Sequence, residues 1–289
     1  MNFTLHNLVK LACQIGFVTA FGFCLMLPVT AQPMLGTENG EWRYLGGNVG
    51  HTRYSPLDQI NGENFEDLEI AWIFHSDNFG PNLDYFSRST PIYVDGVVYT
   101  VMTPRRQVVA LDPGTGEILW TFREPETIRH QRSPRQAYGK GVAYAEVNGR
   151  GVIYITTPGF FLWALDAETG IPLENWGSNF PVGGFPETGV VDLVPLLVDD
   201  WGPWQDYVVA GGEYDPDYGI PRELGMVTAS APPIVVNGVV VVLVGHQPSY
   251  GQTRIENVPG DIMGFDAATG ERLWKFHAIP RPGEVGHET

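Results

Sequence analysis

Histidine, cysteine and paired carboxylates are the side chains that most readily bind metals or move protons, so their spacing bounds the chemistry. His75, His130, His246, His277 and His287 stand singly, with no H-x-x-H or H-E-x-x-H pair of the kind a zinc ion needs. Asp215 and Asp217, in EYDPDYG, aim two carboxylates at one turn; a cation site and a solvated turn both fit, and the turn is preferred. The only cysteines, Cys13 and Cys24, fall in an N-terminal apolar run, so the rest of the chain has neither disulfide nor thiolate metal site. No G-x-S-x-G elbow, phosphate loop or dinucleotide fingerprint occurs, which removes hydrolase, kinase and nicotinamide chemistry. What recurs is ALDPGTGEILW at 110–120, echoed by ALDAETGIPLENW at 164–176 and GFDAATGERLW at 264–274. Asp112, Thr115, Asp166 and Thr169 of these repeats are turn formers, because Asp and Thr-Gly at these offsets satisfy their own backbone.

The spacing of that repeat fixes the elements. Asp112, Asp166 and Asp266 are 54 and 100 residues apart, one interval and nearly two, as in a propeller or array. Within 90–122, Ile92 to Val94, Val97 to Met102, Gln107 to Leu111 and Ile118 to Phe122 read as four strands joined by Asp95-Gly96, a break at Thr103 to Arg106, and the Asp112 to Gly116 turn. That is a four-stranded antiparallel meander, one propeller blade. A second copy spans 232–276 and carries an extra loop from His246, and a weaker one spans Gly141 to Trp176. Leu68 to Phe74 reads as a lone outer strand. Trp120, Trp176 and Trp274 are expected between blades with their N–H groups on backbone carbonyls. The fold class is thus all-β, a partial β-propeller. Residues 177–227 fit no blade and are expected to form a loop excursion over one face, the kind of long connection that is usually functional.

The 289 residues are 43% hydrophobic and 17% charged, a globular composition. The formal charge of −16 repels phosphate backbones, so nucleic acid is not an expected partner. Lys10, the apolar run Leu11 to Val29 and the small residues Val29-Thr30-Ala31 read as a secretory leader over 1–31, with an uncleaved membrane anchor as the alternative. The folded domain is then 32–289, in the periplasm.

The Asp-x-x-Thr-Gly-x-x-x-Trp repeats, with RSTPIYVDGVVY, APPIVVNGVVVV and RIENVPGDIMGFDAATGERLWKFHAIPRPGE, resemble the pyrroloquinoline-quinone (PQQ)-dependent dehydrogenases over residues 40–289. The resemblance implies an eight-bladed propeller, of which about three blades and a strand are present, so the sequence is expected to be the N-terminal part of a longer chain without dehydrogenase activity by itself. It implies PQQ with Ca²⁺ or another divalent cation, oxidation of a sugar, polyol or other alcohol, and transfer of electrons to a membrane quinone or a cytochrome. The rival is a non-catalytic envelope propeller that binds proteins, such as an outer-membrane assembly factor; the long loops 177–227 and 246–261 favour the enzyme.

Matching the family's motifs names five residues. Lys140, in Gly139-Lys140-Gly141-Val142-Ala143-Tyr144, takes the place of an arginine that contacts the quinone, with charge but no bidentate fork; a solvated turn lysine is the alternative. Thr228 and Ser230 stand where the family has hydroxyls on a quinone carboxylate, or else cap a strand. Arg88 replaces a Glu or Gln before the first blade and can meet a cofactor carboxylate. Gln247 follows the position of a metal ligand and offers one carbonyl oxygen, a weak donor for Ca²⁺ by itself. Ser133-Pro134-Arg135 lacks the cysteine pair of the methanol-type branch, which argues against that branch. The family's catalytic Asp, stacking Trp and late metal ligands would lie past residue 289, so the catalytic base is not named.

Overall fold

Short apolar runs closed by glycine turns can bury their strands only by pairing with their neighbours and stacking the resulting sheets. The computed structural model describes residues 35–79, 87–103, 105–127, 130–131, 133, 139–177, 186–198, 227–229, 231–246 and 259–288, and in them this happens three times. The first blade is β1 (Ile92–Val94), β2 (Val97–Met102), β3 (Gln107–Leu111) and β4 (Ile118–Phe122), antiparallel and in chain order. The second is β5 (Ala143–Val147), β6 (Arg150–Thr156), β7 (Phe161–Asp166) and β8 (Val190–Asp192). After the short helix α1 (Leu193–Val198) and β9 (Val227–Thr228) comes the third: β10 (Ile234–Val236), β11 (Val239–Leu243), β13 (Ile262–Asp266) and β14 (Arg272–Phe276). Between β11 and β13, β12 (Gly245–His246) pairs with β9. Each first hairpin turns at Asp95-Gly96, Asn148-Gly149 or Asn237-Gly238, with both residues at positive φ, the geometry that suits the twist of the flanking strands.

Strand alternation distributes side chains between two cores. On β6, Ile153 and Ile155 join Val94, Tyr99, Trp120 and Trp163 between the first and second blades. Val152 and Tyr154 face the other way and join Trp176, Val240 and Phe265 between the second and third. The middle blade has a neighbour on each side, which is why all six residues of β7 are buried.

The Asp-x-x-Thr-Gly repeats and the Trp residues that follow them hold this stack together. Asp112 Oδ1 accepts from the Gly114 and Thr115 amides at 2.9 and 2.8 Å and from the Thr115 hydroxyl at 3.1 Å. Asp166 and Asp266 form the same bonds with Thr169 and Thr269. The turn so fixed offers the residue after Asp as an acceptor to the preceding blade. Trp120 Nε1 and the Tyr99 hydroxyl both donate to the Ala167 carbonyl, at 2.9 and 3.0 Å. Trp176 and Tyr154 do the same to Ala267, at 3.0 and 2.6 Å. Each indole lies over the turn glycine: a Cβ on Gly170 would sit 2.6 Å from Trp120 Cδ2, and one on Gly270 would sit 3.0 Å from Trp176 Cδ2. The inter-blade role expected for Trp120 and Trp176 is observed.

Three expectations are corrected. Leu68 to Phe74 forms no strand; no described strand lies beside it to pair with, and Leu68, Ile70 and Ile73 are exposed. Trp72 alone is anchored, its Nε1 donating to the Pro113 carbonyl at 2.9 Å above Gly116, the same contact its counterparts make. The second blade does not end at Trp176. Its outer edge is split: Leu173 N–H donates to Ala164 O, then the chain leaves and returns so that Ala164 N–H donates to Gly189 O and β8 completes the edge. Pro172 has no amide for the ladder and Asn175 takes φ 60°, so Trp176 reaches its socket from a turn rather than a strand. Finally, the 177–227 excursion is not wholly irregular. It contains β8 and α1, whose last carbonyls accept from Arg272 Nη1 (Leu196 O, 2.7 Å) and Lys275 Nζ (Leu197 O, 3.1 Å) on β14.

Candidate functional site

In a meander blade the first strand starts, and the second ends, at the same end of the sheet. The Asp-Thr-Gly turns and the Asp-Gly and Asn-Gly hairpins therefore occupy one end of the stack. The segments before β1, β5 and β10, and those joining β2 to β3 and β11 to β13, occupy the other. Among the described residues, Arg88, Lys140 and Thr228 belong to segments of this second end. The repeated Asp and Thr residues are at the opposite end, which separates the structural motif from the candidate chemistry.

Backbone contacts draw these segments together. The Thr90 amide donates to the Lys140 carbonyl at 3.0 Å, tying the Arg88-Ser89-Thr90 segment to the segment before β5. Ser89 Oγ is 2.8 Å from Thr100 Oγ1 and accepts from the Val101 amide, so that segment is also fixed to the end of β2. Lys140 lies between two glycines that permit this approach. A Cβ on Gly139 would press on Val101 Cγ2 at 2.7 Å and Arg106 Cγ at 3.0 Å, and one on Gly141, at φ +142°, would meet Thr90 O at 3.0 Å. Arg88 is exposed and Lys140 half-buried. Thr228 pairs with Gly245 through β9 and β12; His246 thus lies in a short strand rather than opening a loop. Ser230, Gln247, Asp215, Asp217 and the 1–31 leader lie outside the described residues, as does most of Ser133-Pro134-Arg135.

A buried group that the sequence reading passed over links the two halves. Arg106, in the β2–β3 connection, is 2% exposed, and its Nη1 donates to the carbonyls of Ala229 and, at 3.4 Å, Thr156. Nearby, buried Glu124 accepts from the Gly159 amide at 3.0 Å. Arg105 Nη2 pairs with Glu126 at 3.3 Å, and the His130 amide donates to Thr127 Oγ1. Burial, then the guanidiniums of Arg105, Arg106 and Arg123 against the opposing pull of Glu126, moves the His130 imidazole down to about 4. The only sign in the sequence was the doubled Arg105-Arg106 in a break between strands.

Arg88, Arg105, Arg106, Arg123 and Lys140 are five of the chain's 17 Lys and Arg, gathered at one end of a protein of net charge −16. Glu124 and Glu126 share this end and Glu126 pairs with Arg105 at 3.3 Å, so the end is mixed in charge with these cations in excess over the two acids, which favours an anionic ligand over a cationic one. For a cation the donor set is poor: among the described residues no group of three or more His, Cys, Asp or Glu could hold a metal ion.

The family model described as "Glucose/ethanol/alcohol dehydrogenase, beta-propeller domain" (PQQ) matches residues 42–289. The glycerol dehydrogenase large subunit of Gluconobacter thailandicus is 31% identical over 247 residues, 82% of this chain and 28% of that protein. Quinoprotein glucose dehydrogenase A of Acinetobacter calcoaceticus is 26% identical over 270 residues, 86% and 29% of the two chains. The crystal structure of quinohemoprotein alcohol dehydrogenase from Comamonas testosteroni superposes with a TM-score of 0.57 at 25% identity, covering 86% of this chain and 29% of that one. The chain thus spans less than a third of the length of each of these proteins.

Proposed function

The chain belongs to the PQQ family of glucose/ethanol/alcohol dehydrogenase β-propeller domains, and on that premise we propose that it forms part of the quinone-holding propeller of a periplasmic dehydrogenase. The enzyme oxidises a sugar, polyol or other alcohol and passes the electrons to a membrane quinone or a cytochrome. The observation that carries this reading is the gathering of cations at one end of an acidic propeller, against the segments that bear Lys140 and Thr228. Pyrroloquinoline quinone, when bound, supplies the hydride acceptor for the CH–OH group, a capacity no side chain has. The residues supply the grip. Lys140 neutralises one carboxylate, Arg88 meets a second from the neighbouring segment, and the hydroxyls of Thr228 and Ser230 donate to a third edge, all of them charge-assisted bonds of the strong kind. The Gly139 and Gly141 flanks set the Lys140 backbone hard against Thr90, so the ammonium extends from a fixed base. Ca²⁺ or another divalent cation is expected beside the quinone; Gln247 is the one ligand proposed for it.

Titrating the apoprotein with PQQ, followed by the quinone's absorbance, tests the reading. Lys140→Met removes a charge-assisted hydrogen bond of roughly 1.5–3 kcal/mol, so affinity is expected to fall about 10- to 100-fold. Dye-linked turnover of a full-length version, with PQQ and Ca²⁺ added, on a panel of alcohols and sugars tests the reaction class. A full-length protein that takes up no quinone and turns over none of the panel would instead be an envelope propeller that binds proteins. Export with cleavage after Ala31 predicts an N-terminus at Gln32 in the periplasmic fraction, which terminal sequencing reads directly.

A further inference from the structure

We propose that Ser89 is a positioning residue of the quinone site: its hydroxyl takes over a ladder bond from the Thr90 backbone, which releases the Thr90 amide to hold the carbonyl of Lys140. This assignment rests on the functional reading above. The register of the first hairpin shows the exchange. Asp95-Gly96 closes the turn between Val94 and Val97, and the pairing runs back to Ile92 opposite Tyr99, where it stops. Antiparallel pairs that exchange backbone bonds recur at every second residue, so Val94 with Val97 and Ile92 with Tyr99 would be followed by Thr90 with Val101. The chain departs from the ladder at that point. The Val101 amide donates to Ser89 Oγ at 3.2 Å, and the Thr90 amide turns to Lys140 O at 3.0 Å. Thr100 Oγ1, 2.8 Å away, is the second partner of the Ser89 hydroxyl.

Two features set Ser89 apart from an ordinary hydroxyl ahead of a strand. Such a serine usually bonds its own or a nearby backbone group, whereas Ser89 reaches partners 11 and 12 residues along the chain. Both partners are buried, Thr100 at 4% and Val101 at 3% exposure, and a buried amide needs an acceptor. The same two places carry the Lys140 segment. A Cβ on Gly139 would sit 2.7 Å from Val101 Cγ2, and one on Gly141 would sit 3.0 Å from Thr90 O. Lys140 is therefore held from both flanks by residues that the Ser89 hydroxyl fixes to each other. Without that hydroxyl the Val101 amide loses its acceptor, and the Thr90 carbonyl in ladder register is the backbone group that replaces it. Zipping up that pair draws Thr90 toward β2 and away from Lys140, so the ammonium extends from a displaced base.

The test is a double-mutant cycle on the full-length protein: wild type, Ser89→Ala, Lys140→Met and the two combined, each titrated with PQQ in the presence of Ca²⁺ and each melted without quinone. Residues that act through one another are not additive. The expected result is a quinone Kd raised roughly three- to tenfold by Ser89→Ala when Lys140 is present, a part of one charge-assisted contact. In the Lys140→Met background the same change costs less than about twofold, while it lowers the melting temperature equally in both backgrounds. An equal loss of affinity in the two backgrounds would reduce Ser89 to a structural tie and overturn the assignment, as would a Kd unchanged in Ser89→Ala. Should Ser89→Ala fail to fold, Thr100→Val, which takes away the other hydroxyl of the pair, carries the same cycle and is judged by the same coupling to Lys140. Wild-type protein that takes up no quinone, or a Kd unchanged in Lys140→Met, would instead overturn the functional reading itself, so the two failures are told apart.

Discussion

His130 is 5% exposed, and its imidazole titrates at about 4 because burial and the surrounding guanidiniums disfavour the charged form. An imidazole in the unfolded chain titrates near 6.5. Between those values the unfolded chain binds a proton that the folded chain refuses, so stability is full above about pH 6.5 and falls as the pH drops toward 4, by up to about 1.4 kcal/mol per pH unit. Urea unfolding at pH 7.5, 6 and 5 should therefore show a loss that is smaller in His130→Asn; parallel profiles for the two proteins would show that the imidazole is not responsible. The same residues mark the limit of sequence reading at this scale. Lys140 and Thr228 could be named as candidates because they sit in short motifs with glycine or proline beside them. Arg106, Glu124 and His130 were not, because their burial comes from neighbouring blades. Nothing within Thr103-Pro104-Arg105-Arg106 distinguishes a guanidinium that spans three blades from one that lies in water.

At the level of the element, the contact between an indole and the next blade's turn decides how the blades stack. Gly170 has φ +71° and lies under the Trp120 ring, whereas Gly96 has φ +82° with open space around it. Substituting alanine at Gly96 incurs only the left-handed backbone term, about 1–2 kcal/mol. At Gly170 the same change also drives a methyl into the indole, adding overpacking of about 1–3 kcal/mol. Denaturant midpoints of Gly170→Ala and Gly96→Ala should differ accordingly; equal losses would mean that backbone conformation, not the ring above it, explains the repeated glycine. The four strands of the first blade were legible to the residue, because period-two apolar runs and the Asp95-Gly96 turn leave little freedom in register. The outer edge of the second blade was not, because the Trp marks where the indole sits and not how the chain reaches it. The strand expected at 68–74 failed for a related reason: its pattern is apolar enough, but a strand also needs a neighbour to pair with.

At the scale of the whole molecule, the same contact leaves one surface uncovered among the described residues. Trp72, Trp120 and Trp176 each donate to a carbonyl of the following turn, and Trp120 and Trp176 are buried. Trp274 holds the equivalent place on β14, where no following turn lies among the described residues. It is 40% exposed, beside Leu273, Phe276 at 60% and Ile279 at 79%. At 40% exposed, Trp274 has about 100 Å² left to cover out of roughly 250 Å², about 2.5 kcal/mol at 25 cal/mol per Å², which only begins to offset the roughly 4–15 kcal/mol lost when two molecules associate. The four side chains together bring the balance close to zero, so weak self-association is expected rather than a fixed oligomer. Each copy of residues 32–289, which lacks Lys10 and keeps 16 Lys and Arg against 33 Asp and Glu, carries a charge of −17 that opposes it, and salt removes that opposition, since the screening length falls from about 10 Å at 0.1 M to about 3 Å at 1 M. Sedimentation velocity of residues 32–289 should thus show concentration-dependent association that strengthens with added salt, and Trp274→Glu with Phe276→Ser should abolish it. A chain that stays monomeric at every concentration and ionic strength would show that the β14 face is not adhesive, and association that survives the double substitution would place the contact elsewhere, with exposed Ile70 and Ile73 the next surface to change.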